Sequence, residues 1–181
     1  MHHHSKFFAS LASLGAAIGK GLIAGLTGAA AMTLAQMIEM KLTGRSASSA
    51  PVKVGGDAMG VEPKGSAKAA EEKAAEGQPS EKTSQEVEAS AAKFGQIMHF
   101  GYGTGWGTAR GLLDLAGVRG CPATALHFGA VWGTALVMLP AAGASEPATK
   151  WPVKTILIDI VHHAVYAVAA GVIYDAMKKS G

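Results

Sequence analysis

The segment 94–111, with the sequence FGQIMHFGYGTGWGTARG, constrains the fold more than any other part of the chain. It is long and largely apolar, yet it contains six glycines. In a soluble helix each interior glycine costs about 1 kcal/mol relative to alanine. In a membrane the backbone must stay hydrogen-bonded, and small residues let helices approach one another closely. The segment therefore predicts a central membrane helix with polar groups directed at other helices.

Glycines at helical spacing mark the faces that we expect to lie between helices. Gly103, Gly107 and Gly111 recur every four residues, which places them on one side of a helix. Similar small-residue faces occur in the apolar segments before and after this one. The predicted packing positions are Gly25, Gly28, Gly103, Gly107, Gly111, Gly129 and Gly133.

The composition also indicates close-packed membrane helices. Hydrophobic residues make up 49% of the chain and aromatic residues only 6%, and there are 24 glycines. A globular core made of so much glycine and alanine would bury little area per residue, whereas membrane helices use these residues to pack. The net charge of +3 includes no basic cluster, so nucleic acid is not a predicted partner. Cys121 is the only cysteine, which excludes an internal disulfide.

Four apolar segments predict four transmembrane helices, because each is close to the 20 or so residues that a bilayer core requires. Most of the hydrophilic sequence lies in one loop, in which residues 67–75 (AKAAEEKAA) predict a short helix. The predicted organisation is an interfacial N-terminal segment at 1–20, a first span at 21–40, a hydrophilic loop at 41–90, and further spans at 91–114, 121–140 and 152–177.

The sequence thus predicts an all-α, polytopic membrane protein whose four transmembrane helices form a Gly/Ala-rich bundle. Four spans place both termini on one side of the membrane. The positive residues near the membrane are evenly divided between its two sides, and we expect termini in the cytoplasm only by a slight preference. Trp151 and Tyr174, near the two ends of the last span, are predicted to lie at the membrane surfaces. The expected partners are the lipid bilayer and either further copies of the chain, as a homo-oligomer, or other membrane subunits.

Ionisable side chains inside the predicted spans are the candidate functional residues, since each costs about 2.5 kcal/mol or more near mid-bilayer. From the helical rise, Glu39, His99, Asp159 and one of His162 or His163 could converge in one half of the bundle. Asp159 precedes His163 by one turn and could fix its tautomer, as carboxylates do for metal-binding histidines. Glu39, His99, Asp159 and His163 are the candidate metal ligands. A transition metal, or a haem held between His99 and His163, fits them but is not required.

The same residues also suit simpler roles. A histidine inside a bundle commonly hydrogen-bonds a neighbouring helix, and it can relay protons because it titrates near neutral pH. No HExxH, Glu-x-x-His pair or CxxCH motif is present. We therefore expect a structural or accessory subunit of a membrane assembly first, and an ion, proton or metal-handling protein second. A haem or metal enzyme comes third, with no catalytic residue predicted. Near one span end, Arg110 and Asp114 are predicted to pair at i, i+4.

Several runs of the sequence resemble an uncharacterised family of small four-span bacterial inner-membrane proteins. They are residues 25–51 and the runs HFGYGTGWGTARGLL, TALHFGAVWG and DIVHHAVYAVAAGVIYD. The resemblance covers most of the chain apart from the Ala/Glu/Lys-rich part of the loop. It implies an inner-membrane location and four spans, and it implies no catalytic residues.

Overall fold

The computed structural model describes residues 2–60 and 81–180, and within that part of the chain it contains no strand. The short helix predicted at 67–75 lies outside the described residues. The helices are α1 (His2–Thr43), α2 (Ala50–Met59), α3 (Glu81–Leu115), α4 (Gly120–Ala141) and α5 (Val153–Lys179), with one 3₁₀ turn at Ala148–Lys150. The prediction of an all-α fold is confirmed.

α1 joins the predicted N-terminal segment and the first predicted span in one continuous helix of 42 residues. No proline interrupts it, and most of its residues are alanine, leucine, isoleucine or glycine. At the rise of an α-helix this length corresponds to roughly 60 Å, about twice the thickness of a bilayer core. α1 is therefore long enough to cross a membrane and to continue beyond it.

The other helix boundaries follow from local sequence signals. Pro51 lies in the first turn of α2, where its missing N–H costs nothing. α2 ends at Met59 and is capped by Gly60, which adopts a left-handed conformation with φ 62°. Gly117, with φ 84°, makes the tight connection between α3 and α4.

Three helices are long and apolar enough to cross a membrane: the part of α1 from Ser10 to Thr43, α4 and α5. α3, which holds the predicted span 91–114, is not among them. It carries Lys93, His99, Arg110 and Asp114, and its glycines contribute no apolar side chain. Length and composition therefore support three of the four predicted spans.

The chain divides into two compact units. The first consists of Met1–Arg45, Phe100–Ala135 and Trp151–Gly181, and the second of Ser46–His99 and Leu136–Lys150. In the second unit α2 packs on the first half of α3, where a Cβ on Gly95 would lie 2.9 Å from Cγ2 of Val52. His99 belongs to this second unit.

The first unit has a core of small and polar residues and a surface of large aliphatic ones. Its buried apolar positions are mostly alanine, together with Met32, Val131 and two tyrosines, whereas many leucines, isoleucines and valines are exposed. Examples of exposed side chains are Leu22, Ile23, Leu26 and Leu34 on α1 and Leu157, Val161, Val168 and Val172 on α5. Water-soluble proteins show the opposite distribution. Together with the three apolar helices, it indicates a membrane protein.

α1 and α3 approach each other closely at glycines. A Cβ on Gly25 would lie 2.6 Å from the carbonyl oxygen of Gly103 and 2.8 Å from Cα of Gly107. Gly111 lies in the same way against Ala17 of α1. Because these neighbours are backbone atoms, they cannot move aside as a flexible side chain would.

The remaining predicted packing glycines differ in whether a neighbouring helix lies against them. A Cβ on Gly28 would lie 2.9 Å from the ring of Tyr166, so this glycine faces α5. Around Gly129 and Gly133 of α4, in contrast, no atom of the described chain lies within 4 Å of an added Cβ. Gly171 of α5, which is not among the predicted packing positions, also lies in a contact, since its Cβ would meet the side chain of Thr124.

Candidate functional site

Polar side chains line one face of α5 in the core of the first unit. Asp159, His163, Tyr166 and Tyr174 follow one another at helical spacing, and we call them the α5 polar face. His163 is 9% exposed, Tyr166 2% and Tyr174 1%, so this face is directed into the unit. Partners from α3 and α4 meet it at three levels.

At the first level Asp159 contacts both Trp132 and His163. Nε1 of Trp132 donates to Oδ2 of Asp159 at 2.8 Å. Nδ1 of His163 lies 2.9 Å from the carbonyl oxygen of Asp159 and 3.5 Å from its Oδ1. Since a carbonyl only accepts hydrogen bonds, this Nδ1 carries the proton, and Nε2 of a neutral ring is left as an acceptor. The structure thus brings the predicted pair Asp159 and His163 together.

At the second level Tyr166 and His127 bond to backbone carbonyls of α3. The hydroxyl of Tyr166 donates to the carbonyl oxygen of Gly103 at 2.6 Å. Nε2 of His127 lies 3.0 Å from the carbonyl oxygen of Trp106 and donates to it. The two rings are 5.5 Å apart between centroids. Nδ1 of His127 is buried without a hydrogen-bond partner in the described part of the chain.

At the third level the guanidinium of Arg110 is completely buried between α3 and α5. Its Nη2 forms an ion pair with Asp175, and its Cζ lies 4.6 Å from the centre of the Tyr174 ring. Nε and Nη1 have no hydrogen-bond partner among the residues that the structure describes. The cation over an aromatic ring and the nearby carboxylate offset part of the cost of removing the charge from water.

This third level differs from the sequence prediction of an Arg110–Asp114 pair. Arg110 pairs with Asp175 of α5 and not with Asp114 one turn away, because its side chain points into the unit. Tyr174, which the sequence predicts near a membrane surface, is buried in the unit with its ring against the Arg110 guanidinium. Spacing along one helix describes only partners on that helix, so it could not reveal a partner on another.

Asp114 gathers a second set of polar contacts at the ends of α3 and α5. Its Oδ1 accepts from Nε of Arg119 at 2.9 Å and also from Nζ of Lys178. The hydroxyl of Tyr174 lies 3.4 Å from its Oδ2. The Asp114 side chain is 12% exposed, while Arg119 remains 65% exposed.

Glu39, a predicted metal ligand, is held by residues that follow it in the chain. Arg45 donates to its Oε2 from Nη2 at 2.7 Å and from Nε at 3.0 Å, and the Thr43 hydroxyl donates to its Oε1 at 2.8 Å. These contacts place the carboxylate at the C-terminal end of α1, where α1 meets the following loop.

The four predicted metal ligands are therefore distributed over both units. Glu39, Asp159 and His163 belong to the first unit and His99 to the second. Across residues 2–60 and 81–180, no group of three or more His, Cys, Asp or Glu side chains is arranged to hold a metal ion. The metal site stays a prediction of the sequence.

Sequence reasoning did not identify Asp175 as a functional residue. A usable signal was present, since Arg110 lies five residues before the end of α3 and Asp175 four before the end of α5. Both helices end on the same side of the predicted bundle, so the two charges fall at the same depth. Comparing how far each charge lies from the end of its helix would therefore have predicted that Arg110 and Asp175 form a pair.

Comparisons with protein-family models, curated proteins and solved structures find no match to this chain.

Proposed function

We propose that the chain is a small integral membrane protein that crosses the membrane four times and serves as a structural or accessory subunit of a membrane assembly. The observation that carries this proposal is that polar side chains inside the first unit join its helices to one another. Each of four such side chains bonds to a helix other than its own: Tyr166, His127, Trp132 and Arg110. Interhelical hydrogen bonds of this kind hold membrane bundles together.

The proposal makes α3 the fourth spanning helix although its composition is polar. Its charge at Arg110 is met by Asp175, and its glycines Gly103, Gly107 and Gly111 lie against α1. A helix whose buried charge is paired with a neighbouring helix can cross a bilayer without exposing that charge to lipid. The inner-membrane location, the cytoplasmic termini and assembly with further copies or other subunits belong to the same proposal.

The single native cysteine allows a direct test of the fourth span. Cys121 is exposed at the start of α4. We would label it in intact cells with a membrane-impermeant maleimide, and compare a Cys121→Ser chain that carries Ala47→Cys in the exposed segment after α1. With four spans the two positions lie on opposite sides of the membrane, so one of them is labelled only after the membrane is opened.

The two topologies give different results in this experiment. If only α1, α4 and α5 cross the membrane, residues 47 and 121 lie on the same side and react alike. A further variant, Ser145→Cys in the Cys121→Ser background, serves as a control because α4 separates residues 145 and 121 in either topology. Equal labelling at residues 47 and 121 would overturn the four-span proposal.

Ion, proton or metal handling is a second candidate that a specific observation favours. His163 is held in the tautomer that leaves Nε2 free to accept a proton or a metal, and Nδ1 of His127 is a buried acceptor. Metal analysis and an absorption spectrum of protein purified in detergent without a metal column separate the candidates. The accessory-subunit proposal expects no stoichiometric metal or haem. Metal that is lost in His163→Ala would favour the second candidate.

A further inference from the structure

Two cationic side chains converge on a single oxygen at one end of the first unit. Nε of Arg119, between α3 and α4, and Nζ of Lys178, in the last turn of α5, both donate to Oδ1 of Asp114. The shared oxygen fixes the two cationic groups close together. Their side chains are nevertheless 65% and 37% exposed, so a further anionic group can reach both.

The charges at this end do not cancel. Arg110 and Asp175 neutralise each other about one helical turn further from this end of the helices. Asp114 is therefore the single carboxylate for Arg119 and Lys178. Lys179 is exposed beside them and forms no ion pair with the part of the chain that the structure describes. The end therefore carries an excess of positive charge, and Asp114 holds two of its cationic groups in place.

The two helices whose ends hold these cations present aliphatic side chains at the surface of the first unit. Leu112 and Leu115 of α3 are 51% and 46% exposed, and Val172 of α5 is 61% exposed. α4 begins at Gly120, directly after Arg119, so the N–H groups at the start of its first turn, which do not include Pro122, lie next to Arg119 in the chain. Helices that expose aliphatic side chains and carry fixed cations at their ends match a molecule that has acyl chains and a phosphate.

We propose that Arg119 and Lys178 bind the phosphate of an anionic phospholipid headgroup, and that this end of the first unit faces the anionic leaflet of the membrane. Basic pockets between membrane helices recognise such headgroups, and each Lys or Arg near an anionic membrane surface contributes about 1 kcal/mol. Asp114 acts here as a positioning residue that orients both cations. The inference rests on the proposed membrane-spanning arrangement.

The test measures phospholipid binding to the purified full chain after detergent delipidation. Native mass spectrometry would count phosphatidylglycerol and phosphatidylcholine bound at matched concentrations. We expect preferential binding of phosphatidylglycerol, weakened about fivefold in Lys178→Gln and in Arg119→Gln, the factor that corresponds to 1 kcal/mol. Lys154→Gln, at the opposite end of α5, is the matched control and should bind like the unchanged chain.

Three results would overturn the lipid site. They are equal binding of both lipids, an equal loss in Lys154→Gln, and complete displacement of the lipid by millimolar inorganic phosphate, which would indicate a site for the soluble ion. Circular dichroism verifies that each variant stays helical. The cysteine-labelling experiment tests membrane crossing separately, so a failed lipid site with intact topology leaves the proposed function standing.

Discussion

Arg110 of α3 and Asp175 of α5 form an ion pair whose guanidinium is 0% exposed and lies over the ring of Tyr174. The pair joins two helices that are far apart in the sequence. A buried cation without its partner is strongly unfavourable, since the low dielectric around it cannot replace the lost water. The pair therefore makes the packing of α3 on α5 conditional on both residues.

Replacing Asp175 should test this dependence. Asp175→Asn leaves the Arg110 charge buried without a counter-ion, and we expect a loss of about 3 kcal/mol in the free energy of unfolding. This is the lower end of the range for broken buried pairs, because the Asp175 side chain is 36% exposed. Unfolding in mixed micelles, followed by circular dichroism, measures the change.

Two further variants make the Asp175 result interpretable. Asp57→Asn removes an exposed i, i+4 partner of Lys53 and should change stability little. The double variant Arg110→Met with Asp175→Asn should recover much of the loss, because no charge remains to be buried. A double variant as unstable as Asp175→Asn alone would mean that the ion pair does not cause the loss.

The close contact of α1 and α3 predicts opposite effects for two glycines of the same helix. A Cβ on Gly107 would lie 2.6 Å from Cα of Gly25, so Gly107→Ala must separate the helices and lower the unfolding free energy. Gly105→Ala adds a Cβ with no atom of the described chain within 4 Å. It should leave stability unchanged or raise it, by up to about 1 kcal/mol from helix propensity. Thermal unfolding in detergent compares the two, and equal destabilisation would contradict the contact.

Much of the fold could be predicted from the sequence because membrane helices leave a strong local signal. The apolar length of α4 and α5 exceeds what a bilayer requires, and the four-residue glycine spacing of α3 indicates a face for close packing. The same local reasoning did not show that α1 is continuous through Lys20. It also did not show which glycine faces a neighbour, since Gly107 and Gly129 differ only in what stands opposite them.

The candidate site was less predictable because its contacts join distant parts of the chain. Spacing on α5 identified Asp159 and His163 as neighbours, and the structure places them in contact. Tyr166 and His127 donate to backbone carbonyl oxygens. Every residue has such a carbonyl, so the pattern of residue types does not predict which one is bonded. The Arg110 and Asp175 pair needed a comparison of depths between helices rather than a motif on one.

Tyr166 allows the hydrogen bond to α3 to be separated from the packing of the ring. Tyr166→Phe removes the hydroxyl that donates to Gly103 and should cost about 1 kcal/mol in unfolding free energy. Tyr166→Leu also removes a ring that is 2% exposed and should cost clearly more. Chemical unfolding of the two variants under identical conditions measures the difference, and equal losses would show that the hydroxyl contributes nothing.

Trp132 and Asp159 allow the two proposed roles of Asp159 to be distinguished. Nε1 of Trp132 donates to Oδ2 of Asp159 and thereby links α4 to α5. If the carboxylate serves this link, a double-mutant cycle of Trp132→Phe and Asp159→Asn should give a coupling energy of about 1 kcal/mol. Neither variant should then alter the metal content of the purified chain.

A different outcome of the cycle would favour a functional role for the carboxylate. A coupling energy near zero, together with metal that disappears in Asp159→Asn but persists in Trp132→Phe, would make Asp159 a ligand rather than a link. The helical content of both single variants has to stay unchanged for this comparison, which circular dichroism verifies. Because Trp132→Phe keeps an aromatic ring against Phe128, with which Trp132 is stacked at 5.5 Å, it isolates the hydrogen bond from the packing.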